Sequence, residues 1–385
     1  MYWFILGREK LLSAAEIAAV LGFNNVNWNE IDQILKCSTP IVDAAILMGQ
    51  LGGTIKIGQE IGADLTEEEM MILMARELTK IEGKIHFGIS IYGNESARQV
   101  GELGKKVKQR LKKDGRSVRH VFNMESVLSS VAVEKNGLTK RGCEFLITRA
   151  GNKFAVAKTL AVQPFETFSA RDYGRPGRDD LSGMLPPKLA MMMINYSQID
   201  KNAVMLDPFC GSGTILTEAM LMGYENLIGM DNSHKAISDT EKNVNWIKEQ
   251  YQLEARNLQI FVGDATKLTE KIPTKSVDAI ITEPFLGKPL RGNEGEEEIK
   301  KQADELKKLY LAALSEFTKI LKPKGKVIFI IPRFNFKNNW VTIDLQSELK
   351  KLGLKVMELW PNKNYLLYAR PNQRVGREIW GFEKI

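Results

Sequence analysis

Val204-Met205-Leu206-Asp207-Pro208-Phe209-Cys210-Gly211-Ser212-Gly213-Thr214 is a short apolar run that passes directly into a glycine turn. A Gly-x-Gly turn leaving the first strand of an open α/β sheet lets a ligand approach the backbone closely, because no side chain stands in the way. The helix that follows aims its amides at a negative group of that ligand. A dinucleotide fingerprint needs a third glycine, and this chain continues as Thr214-Ile215-Leu216. A phosphate loop needs Gly-Lys-Ser/Thr, which is absent. The acid ahead of the turn, Asp207, suits a cationic ligand better than a pyrophosphate. S-adenosylmethionine carries an ammonium and a sulfonium beside one carboxylate. Asp207 is expected to accept from the ammonium, and the amides of the loop from Pro208 to Thr214 to meet the carboxylate.

Outward from this loop the pattern is alternating helix and strand, which predicts a mostly parallel sheet covered on both faces. A helix is expected over 188–197 and strands over 203–206, 226–230, 259–262, 277–282 and 326–331. Helices are expected over 214–222, 234–250, 299–320 and 341–352, and last strands over 355–360 and 365–370. Asp231, followed by Asn232, ends the second strand, 18 residues after Gly213, where a carboxylate can hold ribose hydroxyls. Asp264 ends the third and, with Ala265, can meet an adenine amine. A strand-end Asp is also a common helix cap, and another nucleotide-binding α/β enzyme is the competing reading. Strand 277–282 ends in Glu283-Pro284-Phe285-Leu286-Gly287 at the same sheet edge. An acid and a proline carbonyl accepting both N–H groups of an exocyclic base amine would localise its lone pair, and an aromatic would stack on the base. The competing reading of this tip is a tight turn leaving a strand. Methylation at pyrimidine carbon 5 needs a nucleophilic cysteine, and Cys37, Cys143 and Cys210 are none of them in a Pro-Cys context.

The other half of the chain differs in charge. Net charge is +7 overall, but residues 1–83 hold 6 Lys/Arg against 12 Asp/Glu, and residues 84–160 hold 16 against 6. The basic block centres on a predicted helix over 95–113, in which Val100, Leu103, Val107 and Leu111 form an apolar stripe. Lys105, Lys106, Lys108, Arg110 and Lys112, with Arg116 and Arg119 after it, are the candidate contacts to a polyanion; a solvated helix face is the bland alternative. Ser13 and Glu16 read as a capping box opening a helix that Gly22 stops, and Thr66 as the cap of a helix over 66–80. Strands are expected at 2–7, 51–57, 85–91, 129–134, 143–150 and 154–162, with Asn136-Gly137 as a turn. Residues 163–187, including Gly174-Arg175-Pro176-Gly177-Arg178-Asp179-Asp180, read as a linker. No apolar run reaches the roughly 18 residues that span a bilayer. The N-terminus reads as a strand and not a signal peptide. Three scattered cysteines argue against a zinc site or disulfide framework, and fit a reducing cytoplasmic setting.

At this point the residues resemble a family. Asp207–Thr214, Asp231, Asp264 and Glu283-Pro284 look like the amino-methyltransferases with an Asp/Asn-Pro-Pro-Tyr/Phe motif. Leu51–Ile57, Gly104–Lys108, Gly115–Arg119 and Leu128–Asn136 resemble a THUMP domain behind a ferredoxin-like segment. Met184–Ala190 is similar to the entry into the catalytic domain of the same proteins. Together they resemble the archaeal and eukaryotic THUMP methyltransferases that act on tRNA guanosine at position ten, at N2. The resemblance implies a Rossmann-like α/β methyltransferase domain (188–385), preceded by an α+β ferredoxin-like segment (1–50), a THUMP RNA-binding module (51–162) and the linker. It implies S-adenosylmethionine as cofactor, tRNA as partner, no membrane, and in eukaryotic relatives a small activator subunit. The chain departs from the motif: its acid is one methylene longer, the second proline is missing, and the aromatic stands one place earlier. An amino-methyltransferase of rRNA or DNA and an RNA-binding protein without catalysis remain the other readings.

Overall fold

The computed structural model describes all residues except 31, 94–95, 179–183, 255–256, 338 and 371–372. Glu95 of the expected basic helix and Asp179 and Asp180 of the expected linker thus lie outside the described residues. The chain divides into two compact units, Met1–Thr167 and Phe168–Ile385.

Strands β1 (Tyr2–Leu6), β2 (Val26–Asn27), β3 (Ile34–Cys37), β4 (Thr54–Leu65), β5 (Ile85–Tyr92), β6 (Val118–Val121), β7 (Cys143–Ala150) and β8 (Lys153–Val162) form one sheet in the first unit, in the order β2-β3-β1-β4-β8-β7-β5-β6. Because β1 pairs antiparallel with β4, segments 1–50 and 51–162 share this sheet. Helices α1 (Lys10–Leu21), α2 (Ala44–Gln50), α3 (Glu67–Thr79), α4 (Ala97–Lys113) and α5 (Ser130–Lys135) belong to the same unit. Thr66 caps α3 in a capping box with Glu69. The α4 stripe Val100, Leu103, Val107 and Leu111 is buried, each side chain contributing roughly 1.5–3 kcal/mol of transfer free energy.

Two local readings are corrected. The run 129–134 is helical, not a strand. Ser129 Oγ accepts from Ala132 N at 3.2 Å, and the far end closes through Gly137 N to Glu134 O and Leu138 N to Val133 O. Asn136-Gly137 is therefore a left-handed helix terminus (Gly137 φ 63°), and the valines point to a strand only while this cap chemistry is given less weight. Ser13 and Glu16 do not open a helix, since α1 starts at Lys10. Glu16 instead accepts from Gly52 N and Gly53 N, both at 2.8 Å, and Ser13 Oγ donates to Gly53 O. A Cβ at Gly53 would lie 2.5 Å from Ser13 Oγ, so only glycine permits this approach.

The division between units falls within helix α6 (Phe165–Tyr173). The second unit then runs α7 (Pro187–Ser197), β9 (Val204–Asp207), α8 (Thr214–Leu221), β10 (Asn226–Asp231), α9 (His234–Tyr251), β11 (Asn257–Val262), β12 (Val277–Thr282), α10 (Glu296–Ile320) and β13 (Leu321–Phe336). After these come β14 (Asn339–Val341), the single-turn α11 (Gln346–Leu349), β15 (Leu354–Met357), β16 (Tyr365–Tyr368) and β17 (Val375–Lys384). The sheet order is β11-β10-β9-β12-β13-β17-β15, parallel from β11 to β13 and antiparallel where β17 enters. This is a Rossmann-like α/β fold. The expected helix 341–352 is only one turn long, and β17 is an addition to the expected strands, hidden from the alternation by Arg377, Glu378 and two glycines. Tyr310 and Phe317 of α10 stack edge-on to Phe329 of β13 at 5.2 and 6.2 Å, anchoring this long helix to the sheet. The expected linker is largely structured. Arg171 pairs with Glu218 at 2.8 Å, and Gly177 exchanges two hydrogen bonds with Asn243. Among the described residues no helix is long and apolar enough to cross a membrane.

Candidate active site

With β9 between β10 and β12, the carboxyl ends of four strands bring Asp207, Asp231, Asp264 and Glu283 to one edge. The loop after β9 is pinned by Cys210 N to Met230 O at 2.9 Å and Gly213 N to Cys210 O at 2.7 Å. Gly211 and Gly213 are left-handed (φ 54° and 82°). A Cβ on Gly213 would press against Thr240 at 2.8 Å, whereas one on Gly211 would meet only open space. No side chain caps α8, so its first-turn amides stay available to a ligand. Below them lies a cavity of about 710 Å³. It is lined by Asp207, Pro208, Phe209, Cys210, Gly211, Ser212, Thr214, Asp231, Asn232, Asp264, Ala265, Glu283, Pro284 and Phe285. Of the expected loop residues only Gly213 is not part of this wall, and Met184, Leu185 and Leu309 add an apolar side.

Each acid is held differently. Asp207, 2% exposed, accepts from Thr282 Oγ1 at 2.6 Å and Phe209 N at 3.2 Å. Burial, reinforced by the nearby Asp231 and Glu283 charges, pushes its carboxyl up to about 7 against those hydrogen bonds. Asp231 accepts from Gly211 N through Oδ2 at 3.0 Å and Ser233 N through Oδ1 at 2.9 Å, so one carboxylate ties the loop to its neighbouring strand. Asp264 does cap a turn: its Oδ1 accepts from Thr266 N and Thr266 Oγ1. Cys210 is buried, and burial first, then the Asp207 charge, pushes its thiol well above the usual range. It lines the cavity as a neutral group and not as a nucleophile.

At the β12 tip, Glu283 Oε1 accepts from Arg377 Nε at 2.5 Å, with both side chains 12% exposed. Burial works against the Arg377 charge, but Glu283 outweighs it and the guanidinium is held above its ordinary range. Tyr310 Oη donates to Phe285 O at 2.7 Å and thereby fixes the turn beyond Pro284. The Phe285 ring is 55% exposed, an aromatic face presented at the mouth of an acidic cavity.

Residues 175–340 match the family described as "RMKL-like, methyltransferase domain", and residues 72–242 match one described as "DNA methylase". The chain is 28% identical over 226 residues to the tRNA (guanine(10)-N2)-dimethyltransferase of Methanocaldococcus jannaschii, covering 57% of this chain and 55% of that one. It is 35% identical over 139 residues to the protein of the same name from Methanothermobacter thermautotrophicus, covering 35% and 37%. The chain thus spans about half, or less, of the length of these two relatives. The crystal structure of TrmN from Thermus thermophilus shares the fold over 100% of both chains, with a TM-score of 0.53 at 16% identity.

The match to a methyltransferase domain thus falls within the second unit.

Several residues that build the cavity of the second unit give no signal in the sequence. Thr282, Thr240, Tyr310 and Arg377 belong to no motif, since each acts through a partner distant in the chain. Arg175, inside the expected linker, donates to Thr214 Oγ1 at the start of α8. Its Arg-Pro-Gly-Arg context is visible, but that composition reads as loop. In the first unit, the basic helix divides by partner. Lys106 and Arg110 pair with Glu67 and Glu68 of α3, both at 2.7 Å. Arg116 donates to the terminal carbonyls Thr79 O and Ile81 O. Among the described residues, no ion pair engages Lys105, Lys108, Lys112 or Arg119.

Proposed function

We propose that the chain transfers a methyl group from S-adenosylmethionine to the exocyclic N2 amine of a guanosine in tRNA. The observation that carries this reading is one cavity with both an acidic cofactor wall and, at the adjoining strand tip, the carboxylate Glu283 fixed by Arg377 beside the exposed Phe285.

The residues present fit the cofactor. The sulfonium supplies an electrophilic methyl. Asp207 would accept from the ammonium, Asp231 would hold the ribose and Asp264-Ala265 would meet the adenine. The amides opening α8 receive the carboxylate. Glu283 and the Pro284 carbonyl accept the two N–H groups of the target amine, and Phe285 stacks on the base. Glu283 Oε1 is already engaged by Arg377 Nε, which fixes the carboxylate in place, so Glu283 acts by orienting and hydrogen-bonding the amine. The basic face of α4 supports an RNA substrate, and three free, buried cysteines suit a reducing, cytoplasmic setting.

Parallel incubations of labelled S-adenosylmethionine with unmodified bulk tRNA and with unmethylated DNA, each followed by digestion, test the reading. Label in N2-methylguanosine is the expected result. Label in DNA adenine would favour the second reading, which the match described as "DNA methylase" supports. No transfer to either would overturn both.

A further inference from the structure

A second groove, of about 820 Å³, opens in the second unit. Its walls come from the loop after β12 (Leu290, Glu294), the β13–β14 hairpin (Lys337, Trp340) and the approach to β17 (Arg370, Arg374). Lys337, Arg370 and Arg374 are all exposed. The acid among the described wall residues, Glu294, is spent on its own loop, accepting from Arg291 N and Gly292 N. Beyond the groove, Lys300 pairs with Glu296 at 2.9 Å and lies 3.8 Å from Glu297, offsetting one of these two charges. Three cations, Lys337, Arg370 and Arg374, against the single carboxylate of Glu294 leave the described wall of the groove net positive.

It is also aromatic. The Arg333 guanidinium lies over the Trp340 ring at 4.2 Å, covering one face, and Trp340 lines the groove while Arg333 does not. Cations interleaved with a half-buried indole are the chemistry of single-stranded nucleic acid: arginines for phosphates and a ring for a base. The groove adjoins the first cavity. Pro289 lines the cavity and Leu290 the groove, and Arg374 Nη1 donates to Leu290 O at 3.3 Å. Three residues further along the chain, Arg377 holds Glu283.

We propose that this groove binds the RNA strand next to the methylated nucleotide, with Arg370 and Arg374 on its phosphates and Trp340 stacking one base. This rests on the proposed RNA methyl transfer. A base extruded into the first cavity drags its neighbours out of the helix, and those neighbours need a charged, stacking surface beside the wall at 289–290.

The test compares the full chain with Arg370→Glu/Arg374→Glu and Trp340→Ala, using unmodified tRNA in filter binding over a salt series. The arginine pair change is expected to weaken binding roughly tenfold and to flatten the salt slope by about 0.7 for each phosphate no longer neutralised. Trp340→Ala is expected to weaken it roughly fivefold or more. S-adenosylmethionine binding in calorimetry certifies that each variant is folded, and Arg370→Lys/Arg374→Lys should restore most of the affinity. Unchanged affinity and slope in the Glu pair, with cofactor binding intact, would overturn the phosphate contacts. An unchanged Trp340→Ala would overturn the stacking. A wild-type chain that binds tRNA yet transfers no methyl would refute the proposed function, while the same binding comparison still decides the groove.

Discussion

Glu283 and Arg377 form the most consequential pair of side chains in the cavity. Both are largely withdrawn from water, so removing one leaves the other uncompensated, at a cost of roughly 3–5 kcal/mol for a fully buried pair and less at 12% exposure. Glu283→Ala should abolish methyl transfer while leaving S-adenosylmethionine affinity within a few fold; persistence of transfer would reassign the amine acceptor. Arg377→Ala should also lose transfer, and Glu283→Gln/Arg377→Gln should recover stability in thermal melts without recovering activity. Asp207 has the opposite electrostatic problem. Its folded carboxyl is raised to about 7 from an ordinary 3.8, so between these values the folded state holds a proton that the unfolded state has lost. Stability of the cofactor-free protein therefore falls as pH rises from about 4 through 7. Melting curves of the wild type should decline over that window, and Asp207→Asn should flatten part of the decline. An ammonium-bearing cofactor ionises Asp207, so its binding should tighten toward pH 8 and release protons, which calorimetry in buffers of different ionisation enthalpy measures. A slope unaffected by Asp207→Asn would place the titration elsewhere, with Glu218, also raised to about 7 chiefly by burial, as the next group to test.

At the scale of elements, the glycine loop joins two different requirements. Gly213 is left-handed and pressed on Thr240, whereas Gly211 is left-handed and faces open space. Gly213→Ala should cost the backbone penalty of roughly 1–2 kcal/mol plus a clash, and show mainly as a lower melting temperature. Gly211→Ala should cost less stability, and show mainly as weaker S-adenosylmethionine binding. The reverse ranking in paired melts and calorimetry would contradict the loop geometry. The loop is legible in the sequence because a glycine turn between an apolar strand and a helix is local chemistry. The run 129–134 misleads at the same range: two valines favour a strand, while a serine cap and an Asn-Gly terminus favour the helix that forms. Ser13 and Glu16 have the spacing of a cap, but both side chains reach glycines about forty residues away. A local pattern cannot tell a cap from a tertiary tie with the same residues.

At the scale of the whole chain, charge is partitioned: residues 1–83 are acidic and residues 84–160 basic. The structure splits the basic share again, since Lys106, Arg110 and Arg116 serve α3 and the turn after it. Replacing Lys105, Lys108 and Lys112 with Ala should weaken tRNA binding and lower its salt slope by roughly 0.7–0.9 for each phosphate that a lysine had neutralised. Replacing Lys106 and Arg110 should affect RNA binding less, and filter binding against salt separates the two sets. The alternation of strand and helix, the glycine loop, the acids at successive strand ends and the basic block were all determined by sequence alone, because each depends on neighbours within one or two turns of chain. Which strands lie side by side was not. Only the tertiary structure placed β17 against β13, set Arg377 on Glu283 across 94 residues and Thr282 on Asp207 across 75, and made one sheet of segments 1–50 and 51–162. Pairing between distant strands is decided by the burial of whole faces and the closing of long loops, and no periodicity within a strand records its partner.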